Sequence, residues 1–346
     1  MAKLLEVKDL RTSFFTPSGE VKAVDGVSFS LDEGTVLGIV GESGSGKSVT
    51  AYSILQILTH PGRITGGSIK FRGKELVGLP ESEMRKIRGN KISIIFQDPM
   101  TSLNPAFTIG NQLIETIVMH TDRNRQQAEA RAVEMLGLVG INEPERRMKQ
   151  YAFELSGGMR QRVMIAMALA CEPDILIADE PTTALDVTIQ AQILELMSSL
   201  QKQLGMAIIL ITHDLGVVAG MCDEVIVMYA GHLVERGIAD SIFYHPAHEY
   251  TKGLMLSIPR MEDDEKEKLV PISGTPVDML AVPPGCAFAP RCANAMKVCL
   301  TKRPDEFAIN DPKKHISACW LNVRDAKEVI ELPGALPLIR LEGGEE

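Results

Sequence analysis

Two patterns of apolar residues alternate along this chain. Short apolar runs bounded by turn residues predict buried strands, and longer stretches with apolar residues at helical spacing predict amphipathic helices. Strands are predicted within residues 4–40, within 66–97 (closing with 92–96), and at 175–178 and 207–211. Helices are predicted at 48–58, within about 109–170 and at 190–204. Strands that alternate with helices in this order indicate an α/β fold built on a parallel sheet.

The pattern changes after Pro259. Residues 261–268 form a charged run, and Pro, Gly and Cys are frequent from there to residue 319. We therefore predict a main domain over residues 1–258, a linker over 259–275, a small Cys-rich C-terminal unit over 276–325 and a tail over 326–346.

Composition limits the classes of function. The formal net charge of -9 argues against the broad basic surface that binds nucleic acid, so we expect no nucleic-acid partner. The longest apolar run, residues 163–171, is much shorter than the roughly 20 residues of a membrane-spanning helix. The first residues also lack the pattern of a secretory signal, so we expect the protein to stay in the cytoplasm.

A glycine-rich loop between the strand at residues 36–40 and the next helix carries the clearest chemistry. Gly41-Glu42-Ser43-Gly44-Ser45-Gly46-Lys47-Ser48 matches the phosphate-loop pattern G-x-x-x-x-G-K-[ST]. Backbone N–H groups would hold the phosphates of ATP, Lys47 would add positive charge, and Ser48 would bind Mg²⁺. The alternative is an ordinary Gly/Ser turn with a solvated lysine. The residues predicted to contact nucleotide here are Gly41, Ser43, Gly44, Ser45, Gly46, Lys47, Ser48 and Val49.

Polar residues follow three other predicted strands. Asp179 and Glu180 end the strand at 175–178, where Asp179 would bind the metal and Glu180 would act on the attacking water. His213 and Gln97 follow two further strands and would contact the γ-phosphate, the metal or the water. An Asp-Glu pair that caps a turn and a structural histidine are the alternatives.

The segment Leu155-Ser156-Gly157-Gly158-Met159-Arg160-Gln161-Arg162 resembles the signature motif of ABC ATPases, and Ser156 lies 23 residues before Asp179, as in that family. Without the resemblance, it is a helix N-terminus that could bind an anion, or an ordinary capped turn.

The resemblance implies a P-loop NTPase core with a helical subdomain over about residues 98–170, whose groove receives a permease helix. It also implies that Ser156, Gly157 and Gly158 contact ATP held by a partner ATPase. The remaining roles follow the family motifs: Gln97 in the Q-loop, Ala184-Leu185-Asp186 as the D-loop, His213 as the switch histidine, Glu180 as the general base and Phe15 as the ring that stacks on adenine.

Two further segments resemble the dipeptide and oligopeptide (and nickel) importer branch, specifically its D-type subunits. They are Gln97-Asp98-Pro99-Met100-Thr101-Ser102-Leu103-Asn104-Pro105 and His245-Pro246-Ala247-His248-Glu249-Tyr250-Thr251. The branch implies a heterodimer with a homologous ATPase, two permease subunits, an extracellular peptide-binding protein and a place at the cytoplasmic face of the membrane. A nickel importer, a soluble ABC-type ATPase and a metal-binding adaptor are the alternatives.

Four of the six cysteines lie close together near the C-terminus: Cys286, Cys292, Cys299 and Cys319. Four thiolates can hold an iron–sulfur cluster or zinc, and the absence of a C-x₂-C pair disfavours zinc. Similar tails in the peptide-importer branch carry a [4Fe–4S] cluster, which is the group that the resemblance implies here. Free structural thiols are the remaining alternative.

Overall fold

The computed structural model describes residues 3–98, 102–183, 185–257, 271–309 and 315–324. Several predicted features lie outside these residues: most of the linker (259–270), the tail (326–346), Ala184 of the D-loop, and residues 99–101 of the first branch motif.

The elements follow the predicted alternation of strands and helices. The strands are β1 (Leu5–Thr16), β2 (Gly19–Leu31), β3 (Val36–Val40), β4 (Gly62–Phe71), β5 (Lys74–Glu75), β6 (Ile92–Ile95), β7 (Ile175–Asp179), β8 (Ala207–Thr212), β9 (Glu224–Tyr229), β10 (His232–Ile238), β11 (Phe307–Ala308) and β12 (His315–Ser317). The helices are α1 (Lys47–Leu55), α2 (Glu81–Met84), α3 (Ile109–His120), α4 (Arg125–Leu138), α5 (Pro144–Arg147), α6 (Gly157–Leu169), α7 (Val187–Leu204), α8 (Leu215–Met221), α9 (Ala239–Tyr244), α10 (Glu249–Leu256) and α11 (Lys297–Thr301). Short 3₁₀ helices lie at Ala152–Glu154, Ala289–Arg291 and Trp320–Arg324. No helix in the described ranges has the length and apolar character needed to cross a bilayer.

The described strands form two sheets. The larger has the order β11-β12-β10-β9-β3-β8-β7-β6, in which the strands from β9 to β6 run parallel. The smaller is antiparallel, with the order β2-β1-β4-β5. The predicted parallel α/β sheet is therefore confirmed.

The central strands are covered on both faces. Every residue of β3, β7 and β8 is buried, as the continuous apolar runs predict for a parallel sheet. Successive residues of β7 alternate between two cores: Leu176 and Ala178 face helices α3, α4, α6 and α7, whereas Ile175 and Ile177 face α1 and the antiparallel sheet. This packing fixes the carboxyl ends of the parallel strands at one edge, where the predicted polar residues follow them.

The C-terminal residues extend the central sheet. Strand β12 pairs antiparallel with β10, with His315 opposite Gly237, and β11 pairs with β12. The buried His315 ring lies 2.7 Å from Glu235 Oε1, and Glu235 also accepts the backbone N–H bonds of Ala247 and His248. The predicted C-terminal unit is thus joined to the main domain through the sheet itself. Strands of two and three residues are too short to give a periodic signal in the sequence.

Candidate nucleotide-binding site

The glycine-rich loop wraps tightly around the end of β3. Gly41 and Gly46 have φ values of +151° and +101°. A Cβ atom at Gly41 would lie 2.2 Å from the Met228 carbonyl oxygen, and one at Gly46 would lie 2.4 Å from that of Ala23. These two positions require glycine both for the backbone conformation and for the close approach of neighbouring chain.

Lys47 is folded back into this loop. Its Nζ donates hydrogen bonds to the carbonyl oxygens of Gly41, at 2.7 Å, and Glu42, at 3.0 Å, and the residue is 5% exposed. Burial lowers the pKa of Lys47, an effect opposed by the charges of the nearby carboxylates. The Ser45 hydroxyl is also buried and makes no hydrogen bond within the described structure. A buried cation and an unpartnered hydroxyl in a wound loop fit a polyanion such as triphosphate.

Ser48 and Asp179 form the part of the site that fits a divalent cation. Ser48 Oγ donates to Asp179 Oδ1 at 2.8 Å, and Asp179 is 1% exposed. Burial raises the pKa of Asp179, against the lowering effect of hydrogen bonds from Ser48 and Tyr52. A hydroxyl and a carboxylate beside a phosphate site are oxygen ligands of the kind that Mg²⁺ prefers.

The other predicted polar residues, Gln97 and His213, lie next to the Glu180 carboxylate. Its Oε2 accepts hydrogen bonds from Gln97 Nε2, at 2.9 Å, and from Thr183 Oγ1, at 3.0 Å, and lies 3.5 Å from His213 Nδ1. The Glu180 backbone is left-handed, with φ at +48°, and its N–H is bonded to Ile211 at 2.9 Å. A non-glycine residue in this conformation is uncommon and is found more often at functional sites than elsewhere.

The loop and the Glu180 cluster face one cleft of about 810 Å³. Its walls are formed by Phe14, Val21, Ala23, Glu42, Ser43, Gly44, Ser45, Gly46, Lys47, Ser48, Val49, Gln97, Glu180, His213 and Met279. The chain thus brings the phosphate loop, Gln97, Glu180 and His213 to a single site.

The aromatic wall of this cleft is formed by the neighbour of the residue that the sequence predicts. Phe14 lines the cleft, whereas Phe15, the residue expected to stack on adenine, does not. Adjacent residues of β1 point to opposite faces, and the Phe15 ring packs instead under the Arg63 guanidinium, whose Cζ is 4.0 Å from the ring centroid.

The signature residues and Asp186 lie together but outside the cleft. Ser156 caps α6 by accepting the Met159 N–H at 3.4 Å, and Asp186 caps α7 by accepting the Ile189 N–H at 2.9 Å. The two helix starts are close, since a Cβ at Gly158 would lie 3.0 Å from Ile189 Cγ2. These residues therefore form a second polar surface outside the cleft that the phosphate loop lines.

The four C-terminal cysteines are buried or half-buried thiols. Burial raises the pKa of Cys286, Cys292 and Cys319 to about 11, and the neighbouring cysteines add to the shift. Cys299 is tied to Cys286 by a backbone hydrogen bond of 2.7 Å. Within the described ranges, however, no group of three or more His, Cys, Asp or Glu side chains is arranged to hold a metal ion. The described positions of these side chains therefore do not support the predicted iron–sulfur cluster.

Sequence reasoning missed several residues of the site. Thr183, Tyr52 and Met279 belong to no recognised sequence motif. A single threonine, tyrosine or methionine does not by itself indicate a functional site. Phe14 could have been considered, because it adjoins Phe15, but the sequence does not show which face of β1 lines a cleft.

Comparison with known proteins gives consistent relatives. The ABC transporter family model matches residues 24–183, and the model of the oligopeptide/dipeptide transporter C-terminal region matches residues 234–299. The oligopeptide transport ATP-binding protein OppD of Bacillus subtilis is 54% identical over 95% of this chain and 92% of its own length. The dipeptide transport ATP-binding protein DppD of the same organism is 53% identical, over 95% and 98%. Among solved structures, the ADP- and phosphate-bound dimer of the ATP-binding cassette MJ0796 is similar, with a TM-score of 0.61 and 27% identity over 68% of this chain and 98% of that one.

Proposed function

This chain belongs to the ABC transporter ATPase family, and on that premise we propose that it is the ATP-hydrolysing subunit of an importer of dipeptides or oligopeptides. The observation that carries the proposal is the convergence of Gln97, His213 and Thr183 on the Glu180 carboxylate, beside a phosphate loop. A nickel importer and a soluble, uncoupled ATPase are not favoured, because the relatives are peptide transport proteins.

ATP binding would use the features already built into the loop. The N–H groups of residues 43–48 and the start of α1 attract the phosphates, and Lys47 exchanges its carbonyl partners for phosphate oxygens. The Ser45 hydroxyl gains the partner that it lacks within the described structure. Phe14 replaces Phe15 as the proposed ring against the adenine, because Phe14 lines the cleft.

Hydrolysis would proceed by attack of water on the γ-phosphate. Glu180 orients this water and accepts its proton, while Gln97 and Thr183 hold the carboxylate through Oε2. His213, next to the same carboxylate, is placed to donate a hydrogen bond toward the γ-phosphate. Ser48 and Asp179 would hold Mg²⁺, which neutralises phosphate charge when bound.

A second ATPase would complete the site. Ser156, Gly157, Gly158 and Asp186 do not line the cleft of this chain's own phosphate loop, which supports a role in contacting nucleotide held by another subunit. We propose a head-to-tail pair with a homologous ATPase, as a heterodimer. Val187, which follows Asp186 and is 83% exposed, would be covered in that interface.

The permease would dock on the helical side of the molecule. A groove of about 320 Å³, with mainly apolar walls, lies between β6 and helices α3 and α6. Its walls include Ile95, Phe96, Leu103, Met164 and Met167. Because Gln97 follows Phe96 directly, a helix seated here would sense movement of Gln97 on ATP hydrolysis. Two permease subunits and an extracellular peptide-binding protein would complete the importer, with this chain at the cytoplasmic face of the membrane.

A [4Fe–4S] cluster held by Cys286, Cys292, Cys299 and Cys319, with zinc as the alternative, remains a separate proposal. It rests on the number of thiols in one unit and on the resemblance to the importer branch, and it has the described thiol arrangement against it. No step of hydrolysis is derived from it. Stoichiometric iron and sulfide in anaerobically purified protein would support the cluster, stoichiometric zinc would replace it, and neither would leave the thiols structural.

Glu180→Gln tests the proposed catalytic role. We expect turnover to fall about 100-fold or more while ATP affinity stays near that of the unmodified chain, because the amide retains the shape of the side chain but cannot accept the proton. Phosphate release and nucleotide binding are measured side by side. Glu195→Gln on the exposed side of α7 is the matched control and should hydrolyse normally. Equal turnover in the two variants would remove Glu180 from the role of base.

A further inference from the structure

The phosphate loop carries a negative charge of its own. Glu42 is the second residue of the loop and lines the same cleft as Lys47. Its side chain is 27% exposed, so water screens the charge only in part. A carboxylate beside a triphosphate site opposes binding unless another group neutralises it.

Arg291 of the C-terminal unit forms an ion pair with this carboxylate. Its two terminal nitrogens contact both Glu42 oxygens, at 2.6 Å and 3.0 Å, in a bidentate arrangement. The Arg291 side chain is only 4% exposed, and its remaining N–H groups are directed at the Tyr229 hydroxyl and the carbonyl oxygens of Ile272 and Ser273. A guanidinium whose donors are used in this way is held in a single orientation.

A neighbouring contact fixes the backbone of the same loop residue. The Glu42 N–H donates to the Tyr250 hydroxyl at 2.8 Å, and Tyr250 is fully buried against Tyr229 and Phe288. The C-terminal unit also reaches the cleft at a second point, where Met279 forms part of its wall. Residues outside the ATPase core motifs therefore contact Glu42 of the loop and form part of the cleft wall.

We propose that Arg291 is a positioning residue for ATP: it neutralises Glu42 and holds the phosphate loop in the form that accepts triphosphate, so that the C-terminal unit is part of the nucleotide site of its own chain. The inference rests on the proposed function, because ATP is the ligand whose phosphates the loop receives.

The test compares the affinity of the full chain for ATP, ADP and AMP, each with Mg²⁺, after Arg291→Met. We expect ATP binding to weaken about tenfold or more, because removing Arg291 from this bidentate pair leaves the partly screened Glu42 charge unpaired beside the phosphates. The loss should shrink from ATP to ADP to AMP as phosphates are removed. Adding Glu42→Gln to the Arg291→Met variant should restore much of the affinity, because no unpaired carboxylate then remains.

Arg303→Met is the matched control. Arg303 is also an arginine of the C-terminal unit paired with the core, to Asp25 at 3.3 Å, but it is 46% exposed and Asp25 is not part of the cleft wall. Its ATP affinity should stay within about twofold of the unmodified chain. If Arg291→Met does not fold, Arg291→Lys takes its place, because lysine keeps the positive charge but cannot form the bidentate contact. We expect a smaller loss of nucleotide affinity that still depends on the number of phosphates.

The outcomes separate the two claims. Failure of the unmodified chain and of Arg303→Met to bind ATP would reject the proposed function. If the unmodified chain and Arg303→Met bind ATP normally, and Arg291→Met binds ATP with the same affinity as Arg303→Met, the inference about Arg291 is overturned. An equal loss for ATP, ADP and AMP would also overturn it, because general loosening of the fold does not depend on the number of phosphates.

Discussion

Phe14 and Phe15 are adjacent residues of β1 whose side chains lie on opposite faces of the strand. Both rings are aromatic neighbours in β1, yet one lines the nucleotide cleft and the other lies under Arg63. The residue type predicts an aromatic contact, but the choice between neighbours depends on which face of β1 meets the rest of the molecule.

Alanine at each position tests this assignment. Phe14→Ala should weaken ATP binding about 5- to 150-fold, the range that corresponds to losing one base-stacking contact. Phe15→Ala, with the same change of volume on the opposite face, should bind ATP within about twofold of the unmodified chain. Titration with a fluorescent ATP analogue measures both. A larger loss for Phe15→Ala than for Phe14→Ala would contradict the placement of the rings.

Residues that carry ionisable or amide chemistry were predictable from the sequence. Asp179, Glu180, Gln97 and His213 lie at or just after the ends of apolar strands, and Lys47 ends the loop that follows another such strand. Parallel strands bring these positions to one edge. Thr183 and Met279 were not predictable, because their roles come from proximity to Glu180 and to the cleft, and their residue types are common in any loop.

At the scale of elements, the segment at residues 245–251 connects three parts of the molecule. His248 caps α10 by accepting the Tyr250 N–H at its Nδ1, at 3.0 Å, and its own N–H is bonded to Glu235 of β10. Tyr250 accepts a hydrogen bond from the phosphate loop. In the sequence, this segment was distinguished only by its resemblance to the importer branch. The structure shows that His248 and Tyr250 connect α10, β10 and the phosphate loop.

His248 should make stability depend on pH. Burial lowers its pKa to about 4, against the opposing charges of Glu235 and Glu249, whereas in the unfolded chain the value is about 6.5. As pH falls through this window the unfolded state binds a proton that the folded state does not, so stability decreases. The contribution between pH 7 and 5 is about 2 kcal/mol.

Urea unfolding at pH 7 and pH 5 measures this effect. His248→Gln should lose less stability between the two pH values than the unmodified chain, because glutamine can accept the N–H bond and does not titrate. His245→Gln, at an exposed histidine of the same segment, should keep the full dependence. The same pH dependence in all three proteins would show that another group is responsible.

The strand pairing that could not be predicted from the sequence lies at the C-terminal edge of the sheet. Strands β3, β7 and β8 were predictable because each is a continuous apolar run buried on both faces. The pairing of β12 with β10 was not, because it joins three-residue stretches far apart in the chain and depends on the buried pair of His315 and Glu235. Local patterns do not encode such a contact.

At the scale of the whole molecule, the phosphate loop and the signature residues lie on separate surfaces. The association through ATP that we propose would use both surfaces. The Glu180→Gln chain, which we expect to retain ATP, should associate with the proposed partner ATPase when ATP and Mg²⁺ are present and separate when they are absent. Sedimentation velocity measures this directly.

Gly157→Asp in the Glu180→Gln background should prevent that association without weakening ATP binding to this chain's own loop, because the carboxylate would face the partner's triphosphate. The local fold should accept the change, since a Cβ at Gly157 meets only Leu185, at an ordinary 3.7 Å. Gly137→Asp, at a helix position where a Cβ meets open space, is the control. Persistent association of the Gly157 variant would place the second nucleotide contact elsewhere.

The most direct test of the account is ATP hydrolysis by this chain assembled with its permease in lipid, measured with and without the peptide-loaded binding protein. We predict that peptide raises the hydrolysis rate and is taken up only with ATP, and that Glu180→Gln abolishes both. Hydrolysis that is indifferent to permease and peptide, or uptake that continues with Glu180→Gln, would contradict the account.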